Sequence, residues 1–374
     1  MSHGNPIVVV IDDADTEPEI SDSDTDEYAA GDSDEISETD FDADTDEDID
    51  FVEDYDFTSD EDTDPDEDFD IATDEDCDST EEPDNVPDEE FEDIEPYDGD
   101  SVQIRIVAGN LTTGSQSYDN GEGINILKAL KPDIVLVQEM NYKNNSVSDY
   151  ENFAQKIVGT NYYAVDDAGY QIPNGVVSKY PITSHGYWKD PNINNRALMW
   201  AVVDIPGEKD IFAISIHLHT DPASDQTKAA LVIVDEIAKL KSSKPDKYYY
   251  VVGGDFNGET AVSSSGFGKS NTFYVSGPDP VDEEGDSTTN RNRNKQYDFV
   301  LADYPLHEFQ VPTVYYSSKD STKTKTYENG FVFDTRLYSQ SELDEYFYPA
   351  QTNDSSASSM QHMAVVKDFL IEIK

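Results

Sequence analysis

The distribution of charge divides this chain into two regions that cannot fold in the same way. Residues 1–100 contain 46 Asp and Glu residues and no Lys or Arg. Like charges at this density repel one another, and the few apolar side chains between them cannot offset the chain entropy lost on folding. We therefore predict that residues 1–100 form a disordered acidic arm and that residues 101–374 form the folded domain.

The acidic arm has three interpretations. The simplest is a solvated tether, which is the usual role of a block of like charges. A second is calcium binding, because Asp42, Asp44 and Asp46 have the spacing that opens a calcium-binding loop, although Glu47 stands where the turn needs glycine. A third is inhibition of the domain, with the arm imitating a polyanionic substrate.

Residues 101–374 have the length and the ratio of acidic to basic residues of a globular domain. The chain holds 82 acidic and 24 basic residues, so removing the 46 acidic residues of the arm leaves 36 acidic and 24 basic, a formal charge of −12. A stretch of 274 residues can bury one large core. The sole cysteine, Cys77, lies in the arm, so an intramolecular disulfide bond is impossible. We expect a monomer.

The sequence gives little information about location. No run of about 18 apolar residues predicts a membrane span. The first ten residues lack the basic and long apolar segments of a signal peptide. A long acidic tether before a domain is nevertheless typical of proteins displayed outside a cell, so we expect an extracellular or cell-surface location rather than a cytoplasmic one.

The central motif of the domain is the apolar stretch Tyr249–Val252, which ends in Gly253-Gly254 and is followed by Asp255 and Asn257. A short apolar run closed by glycines is typical of a buried strand. Side chains two residues apart on an extended backbone share one face, so this carboxylate and this amide can enter one pocket. The alternative is an Asx turn in which both residues only satisfy backbone groups.

Other predicted strands carry a polar residue at or near one end in the same way. These residues are Asn110, Glu139, His217, Asp298 and His362. The predicted strands cover 102–107, 134–137, 174–182, 197–205, 210–216, 249–252, 297–301 and 361–373. The predicted helices cover 121–131, 148–158 and 224–240, the third capped by Ser224. Strands and helices without regular alternation favour two packed sheets with helices outside.

The motifs, taken in order, resemble those of the endonuclease/exonuclease/phosphatase superfamily, which includes pancreatic-type deoxyribonucleases and inositol-phosphate phosphatases. They are Ala108-Gly109-Asn110, Val137-Gln138-Glu139, Asn174–Ile182, Ile216-His217-Leu218, Gly254-Asp255-Phe256-Asn257, and Tyr297-Asp298-Phe299 with the later His362. The resemblance covers essentially 101–374. It implies an α+β fold, a four-layer α/β/β/α sandwich of two packed mixed sheets flanked by helices, with the site at one rim.

The resemblance also implies a metal-dependent phosphodiesterase. Glu139 matches the metal-binding glutamate of the family, and Asn110 matches the amide beside it. Hard divalent cations prefer such oxygen ligands, so Mg²⁺ is the expected ion, with Mn²⁺ or Ca²⁺ as alternatives.

The remaining matches imply catalytic roles. Asp255 matches the residue that orients or deprotonates the attacking water, and Asn257 the residue that holds a phosphate oxygen or the nucleophile. His362 would contact the phosphoryl oxygens or donate a proton, with Asp298 fixing its ring. His217 matches the second histidine, on the leaving-group side. Imidazole titrates near pH ~6.5 and can therefore serve as acid or base.

One position departs from the family pattern. The family usually has Ser-Asp-His before the last strand, where this chain has Met360-Gln361-His362. Gln361 can offer a carbonyl oxygen to the metal but no negative charge, so a lower metal affinity is expected. The function expected is phosphodiester hydrolysis, by a nuclease. The alternatives are a phosphatase or phospholipid-type phosphodiesterase on the same fold, and a non-catalytic binding module.

The predicted substrate-binding residues are Asn174, Arg291 and Arg293. The two arginines form a basic patch with Lys269 and Lys295, for which a solvated loop is the alternative. A domain of charge −12 lacks the broad basic face of a tight nucleic-acid binder. We expect a phosphodiester substrate as partner, with nucleic acid among the candidates.

Overall fold

The computed structural model describes residues 100–112, 118–166 and 169–373. The predicted disorder of the arm, its calcium-binding motif and Cys77 lie outside these residues. The strands are β1 Ser101–Gly109, β2 Ile134–Val137, β3 Tyr162–Val165, β4 Gly175–Ser178, β5 Ile182–Trp188, β6 Leu198–Val203, β7 Asp210–His217, β8 Tyr248–Asp255, β9 Asp298–Ala302, β10 Gln310–Val311, β11 Thr313–Tyr316, β12 Thr324–Tyr327, β13 Phe331–Phe333 and β14 Ala364–Glu372. The α-helices are α1 Glu122–Ala129, α2 Val147–Val158, α3 Ala223–Ser243, α4 Tyr304–His307 and α5 Gln340–Tyr346. Single 3₁₀ turns lie at Tyr118–Asn120, Lys269–Asn271, Thr335–Leu337 and Asp354–Ser356.

The first sheet has the order β10-β14-β1-β2-β4-β3, with β13 also paired to β14. Its strands β1 and β2 run parallel, and α1 lies in the connection between them. The carboxyl ends of parallel strands meet at one edge of a sheet, and here Gly109 is paired with Val137. Asn110 and Glu139 follow these two ends, so the strand pairing delivers both side chains to the same rim.

The second sheet has the order β5-β6-β7-β8-β9 and repeats this arrangement. Its strands β7 and β8 run parallel, with α3 between them in the chain, and their last residues, His217 and Asp255, are paired. Strand β9 runs antiparallel to β8, so Asp298 at its start is paired with Asp255 at the end of β8. Three predicted site residues therefore lie side by side on neighbouring strands.

Three apolar cores separate the layers. The core on the outer face of the first sheet includes Phe153 of α2, and the core between the sheets includes Ile106 and Val251. The third core lies between the second sheet and α3, where Ile233 packs with Tyr250. Successive strand residues alternate between cores, as the pleat of a strand requires. The predicted α/β/β/α sandwich of two mixed sheets with flanking helices is confirmed.

The glycine pair at the end of β8 permits the close approach of the two sheets at the rim. A Cβ on Gly253 would lie 2.8 Å from the carbonyl oxygen of Phe299 and 2.9 Å from Leu136 of the first sheet. Gly254 has φ +131°, where glycine is strongly favoured, and a Cβ there would collide with the carbonyl of Ile216. The pair therefore brings Asp255 against the strand ends of the first sheet.

The structure corrects several predicted elements. Helix α3 begins at Ala223 after Pro222 and has no side-chain cap hydrogen bond, so Ser224 is not its cap. The predicted strand 174–182 is two elements, because β4 ends at Ser178 and β5 begins at Ile182, after Pro181. Strands β3, β5 and β10–β13 and helices α4 and α5 were not predicted. No helix among the described residues is both long and apolar enough to cross a membrane.

Candidate active site

Six of the predicted residues meet at one rim of the sandwich. The first sheet and its flanking segments supply Asn110, Glu139 and His362, and the second sheet supplies His217, Asp255 and Asp298. None of the six is more than 7 % exposed. Burying so many polar groups in one place is costly unless they contact one another or a ligand, so this rim is the candidate active site.

Asp255 lies at the centre of the cluster. Its Oδ2 accepts a hydrogen bond from Nδ2 of Asn110 at 3.3 Å, and it lies 3.3 Å from Nε2 of His217 and 3.7 Å from Nδ1 of His362. Its Oδ1 accepts a hydrogen bond from the backbone N–H of Asn257 at 2.8 Å. One carboxylate oxygen is held by the backbone, and the other contacts an amide and both imidazole rings.

Glu139 and Asn110 form the part of the cluster that follows the first sheet. Nδ2 of Asn110 donates a hydrogen bond to Oε1 of Glu139 at 2.9 Å, and Nδ1 of His217 lies 3.7 Å from the same oxygen. Oδ1 of Asn110 is buried and accepts no hydrogen bond within the described residues. Glu139 has φ +49°, a left-handed conformation that is uncommon outside glycine and that is concentrated at functional sites.

Asp298 holds His362. Asp298 is fully buried, and its Oδ2 lies 2.8 Å from Nδ1 of His362. Its Oδ1 accepts a hydrogen bond from the backbone N–H of Asn110 at 2.9 Å, and its Oδ2 accepts one from Oγ1 of Thr289 at 2.8 Å. With both oxygens engaged, the carboxylate has a fixed orientation, and it orients the imidazole in turn.

The two imidazoles have opposite electrostatic environments. Burial lowers the pKa of His217 to about 3, against the opposing effect of the Asp255 carboxylate, so this ring is neutral at neutral pH. Burial also disfavours the charged form of His362, but the carboxylates of Asp298 and then Asp255 outweigh it and raise the pKa of His362 to about 9. The site therefore offers one neutral ring and one charged ring.

The cluster has the composition of a cation site. Three buried carboxylates, those of Glu139, Asp255 and Asp298, outnumber the charged His362 and the neighbouring guanidinium of Arg196. Ligand atoms of Asp255, Asp298 and His362 all lie within 4.8 Å of one another. The unpartnered Oδ1 of Asn110 adds a further oxygen donor. Excess negative charge and oxygen donors fit a hard divalent cation.

Three other predicted residues lie around this cluster. The carboxamide of Asn257 donates a hydrogen bond to the carbonyl of Leu218 at 2.9 Å, so it contacts the segment that follows His217. Asn174 is fully buried, and its Nδ2 donates to the carbonyl of Ala197 at 2.7 Å. Gln361 lies in an open depression beside His362. The roles predicted for these side chains in catalysis, substrate binding and metal binding stay predictions.

The predicted basic patch makes contacts within the protein. The guanidinium of Arg291 donates to the carbonyls of Ser356, Ser358 and Met360. The guanidinium of Arg293 forms ion pairs with three carboxylates, those of Asp282, Asp286 and Asp334. Lys269 lies 3.8 Å from Asp235. A phosphate contact by either arginine stays a prediction, and for Arg293 it would compete with ion pairs.

Arg196 is a buried neighbour of the cluster that the sequence analysis did not single out. Its Nε donates to the carbonyl of His217 at 2.6 Å, and its Nη2 donates to the carbonyl of Leu218 at 2.8 Å. The same Leu218 carbonyl accepts the hydrogen bond from Asn257. The available signal was an arginine directly before an apolar strand, where a charged side chain must either reach solvent or find buried acceptors.

We expect Arg196→Met to lower kcat for phosphoester hydrolysis about 10- to 100-fold with a much smaller change in KM. The reason is that the backbone carrying His217 loses two hydrogen bonds, and small displacements of a catalytic group have effects of this size. Arg196→Lys should restore part of the rate, since one donor remains. Lys241→Met, at a lysine near the C-terminal end of α3 that pairs with Asp303, is the control. A folded Arg196→Met variant with unchanged kcat contradicts this positioning role.

Buried carboxylates, amides and imidazoles at the rim of such a sandwich point to the metal-dependent hydrolases of phosphoester bonds. The model of the Endonuclease/Exonuclease/phosphatase family matches residues 124–318, more than half of the 374-residue chain, and the chain belongs to this family. Members of this family are hydrolases, among them phosphodiesterases, phosphatases and nucleases.

Several solved structures are similar to this chain at low identity. An endonuclease/exonuclease/phosphatase family protein from Bacteroides thetaiotaomicron is 13% identical with a TM-score of 0.46, covering 72% of this chain and 98% of that one. An endonuclease/exonuclease/phosphatase from Beutenbergia cavernae is 17% identical with a TM-score of 0.46, covering 72% of each chain. TDP2 from Caenorhabditis elegans is 15% identical with a TM-score of 0.43, covering 71% and 74%. A search of curated proteins finds no match.

Proposed function

We propose that this chain is a divalent-metal-dependent phosphoesterase. The observation that carries the proposal is the contact set of Asp255, whose Oδ2 lies 3.3 Å from the Asn110 amide, 3.3 Å from the His217 ring and 3.7 Å from the His362 ring. A carboxylate, an amide and two imidazoles around one point can bind a phosphoryl group and move a proton.

Glu139 and Asn110 are the residues proposed to hold the cation, with Mg²⁺ first and Mn²⁺ or Ca²⁺ as alternatives. The fit rests on the buried Glu139 carboxylate and on the unpartnered Oδ1 of Asn110, both of them hard oxygen donors. When bound, such a cation polarises a phosphoryl oxygen and lowers the pKa of a coordinated water.

The charge of Asp255, His362 and His217 determines the catalytic role proposed for each. Asp255 is proposed to orient and deprotonate the attacking water, since the Asn257 N–H fixes its other oxygen at 2.8 Å. His362, charged and held by Asp298, is proposed to stabilise the negative phosphoryl oxygens. His217 is neutral and carries one N–H donor, which suits a hydrogen bond near the leaving group better than donation of a proton.

A non-catalytic binding module is the competing function, and it is motivated by Gln361 where the family pattern has aspartate. The cluster argues against it, because Glu139, Asp255 and Asp298 keep three buried carboxylates at the rim without that residue. These three carboxylates carry more negative charge than the charged His362 and the neighbouring Arg196 supply in positive charge, and keeping them buried is costly for a domain that only binds partners.

A hydrolysis assay on the full chain tests the proposal. Bis(p-nitrophenyl) phosphate, p-nitrophenyl phosphate, plasmid DNA and RNA are incubated with Mg²⁺, Mn²⁺ or Ca²⁺, or with EDTA. We expect release of product with at least one ion and none with EDTA. If none of these esters is hydrolysed with any of the ions, the result contradicts the phosphoesterase proposal and supports the non-catalytic binding module.

A further inference from the structure

Strand β5 forms one edge of the second sheet. It is the first strand in the order β5-β6-β7-β8-β9, and among the described residues β6 is its sole hydrogen-bonded strand neighbour. A register shift separates Ile182 from Ser184, and residues 184–188 then pair in unbroken register with residues 198–202 of β6. The opposite side of β5 has no strand partner in the described part of the chain. Such an edge exposes a row of N–H and C=O groups to which a further strand can pair.

The sequence of β5 lacks the residues that commonly keep edge strands from pairing. Ile182–Trp188 contains no lysine, proline, aspartate or glutamate. Thr183, Ser184 and Tyr187 are exposed, the last with 45 % of its surface accessible. Apart from the single register shift near its start, β5 is therefore open to pairing along its length.

The other sheet edges are shorter or already occupied. Strands β3 and β10–β13 have two to four residues each, against seven in β5. Strand β9 ends the second sheet on the other side, but the N–H of Tyr274 donates to its Ala302 carbonyl, and its Asp298 N–H donates to the Thr289 hydroxyl. Among the described residues, β5 therefore offers the longest free edge.

Both faces of the second sheet are apolar beside this edge. On the outer face, Trp188 and Trp200 are only partly buried, and their ring centroids lie 6.1 Å apart. A Cβ on Gly186 would lie 2.7 Å from the Trp200 ring, so this glycine lets the indole lie across β5. On the inner face, Tyr180 and Ile182 are partly buried against the core between the sheets. A strand added here would contact apolar groups on both of its faces, which requires a continuous apolar sequence.

Residues 7–11 of the acidic arm, which lie outside the described residues, have such a sequence. They read Ile-Val-Val-Val-Ile, the longest uninterrupted apolar run in residues 1–100. All five are β-branched, the residue type enriched in strands. Pro6 precedes the run and Asp12 follows it. Its length equals that of the regularly paired part of β5, residues 184–188.

The length and charge of the arm fit docking within one chain. Residues 12–99 connect the segment to Asp100, the first described residue. A flexible chain of this length has an average span of about 50 Å, close to the diameter of a domain of this size. Lys179 and Lys189 lie just beyond the two ends of β5. Asp12 and Asp13, which follow the segment, would therefore lie beside a lysine in either strand direction.

We propose that residues 7–11 of this chain form an additional strand on the free edge of β5. The acidic arm is then anchored to the domain at a second point, and residues 12–99 form a closed acidic loop instead of a free tail. Docking of this segment requires no catalytic activity, so it is tested independently of the phosphoesterase function.

Hydrogen exchange of the β5 amides, followed by mass spectrometry on the full chain, tests the docking. Val9→Asp places a charge in the middle of the apolar segment, and a charged side chain between two apolar surfaces is costly. We expect the outward-facing amides of residues 182–188 to be protected in the unaltered chain and to exchange at least about 10-fold faster in Val9→Asp, because protection reports how often the edge is open. Val52→Asp, at an apolar residue elsewhere in the arm, is the matched control and should leave this exchange unchanged.

Three results would overturn docking within one chain. The first is unprotected outward-facing amides on β5 in the unaltered chain, and the second is equal exchange in Val9→Asp and Val52→Asp. The third is protection of β5 that decreases on dilution, together with a dimer in sedimentation, since this pattern shows that a second copy supplies the segment. Protection that depends on Val9 and is independent of protein concentration supports docking of the chain's own segment.

Discussion

His362→Ala is expected to lower kcat for hydrolysis of bis(p-nitrophenyl) phosphate at least about 100-fold, the usual effect of removing a group that transfers a proton or stabilises developing charge. Nδ1 of His362 lies 2.8 Å from Asp298 and 3.7 Å from Asp255, so the ring joins two of the three buried carboxylates. Its removal deletes the charged imidazole that is proposed to stabilise the phosphoryl oxygens, and it leaves Asp298 without its imidazole partner.

The control for this variant is His185→Ala. His185 lies on β5, a strand at the edge of the second sheet, and it is not part of the cluster. Both variants are compared for kcat, KM and thermal unfolding under the same conditions. A His362→Ala enzyme that keeps its fold and more than half of its kcat removes His362 from the mechanism, and a loss in both variants alike points to instability as the cause.

The order of the motifs and their resemblance to a known family predicted which residues meet at the rim, and the pairing of the strands explains why they do. Asn110 and Glu139 follow parallel neighbours in one sheet, and His217 and Asp255 end parallel neighbours in the other. A polar motif that follows an apolar run is therefore expected to lie at the rim of a sheet, where the strand ends. The mixed order of strands and helices predicted two packed sheets with helices outside, and the resemblance to the family implied the four layers.

The hydrogen-bond partners of these residues could not be predicted, because they are set by packing between distant segments. Thr289 reaches Asp298, and Arg196 reaches the carbonyl of His217, through contacts that no local pattern encodes. Arg293 looked like a free cation in a basic segment, yet Asp282 and Asp334 pair with it. The pattern shows a charge, whereas the fold decides whether that charge faces solvent or a carboxylate.

The elements that were not predicted share a weak local signal. Strand β5 is an edge strand whose residues are only partly buried, so its sequence does not alternate cleanly between apolar and polar. Strands β10 and β13 are two and three residues long, and each is paired with β14. Such short strands exist because a long central strand offers free backbone groups, and the central strand lies far away in the sequence.

Glu139→Gln is expected to raise the Mg²⁺ concentration for half-maximal activity about 10- to 100-fold and to lower kcat by a similar factor. The substitution preserves the volume of the side chain and the oxygen that accepts a hydrogen bond from Asn110 at 2.9 Å, while it removes one negative charge from the cluster. Loss of negative charge at an oxygen ligand lowers the binding affinity for a hard cation, whereas it changes the packing of the side chain very little.

Activity against Mg²⁺ concentration measures this effect, and calorimetric titration of Mn²⁺ into the full chain checks it without substrate. The 46 acidic residues of the arm are the same in every variant, so the difference between variants isolates the cluster. Glu328→Gln, at an exposed glutamate beyond the rim, is the matched control. If Glu139→Gln has the Mg²⁺ requirement and the kcat of the unaltered chain, Glu139 does not hold the ion. Asp255, Asp298 and His362, whose ligand atoms lie within 4.8 Å of one another, are then the next group to test as the ion site.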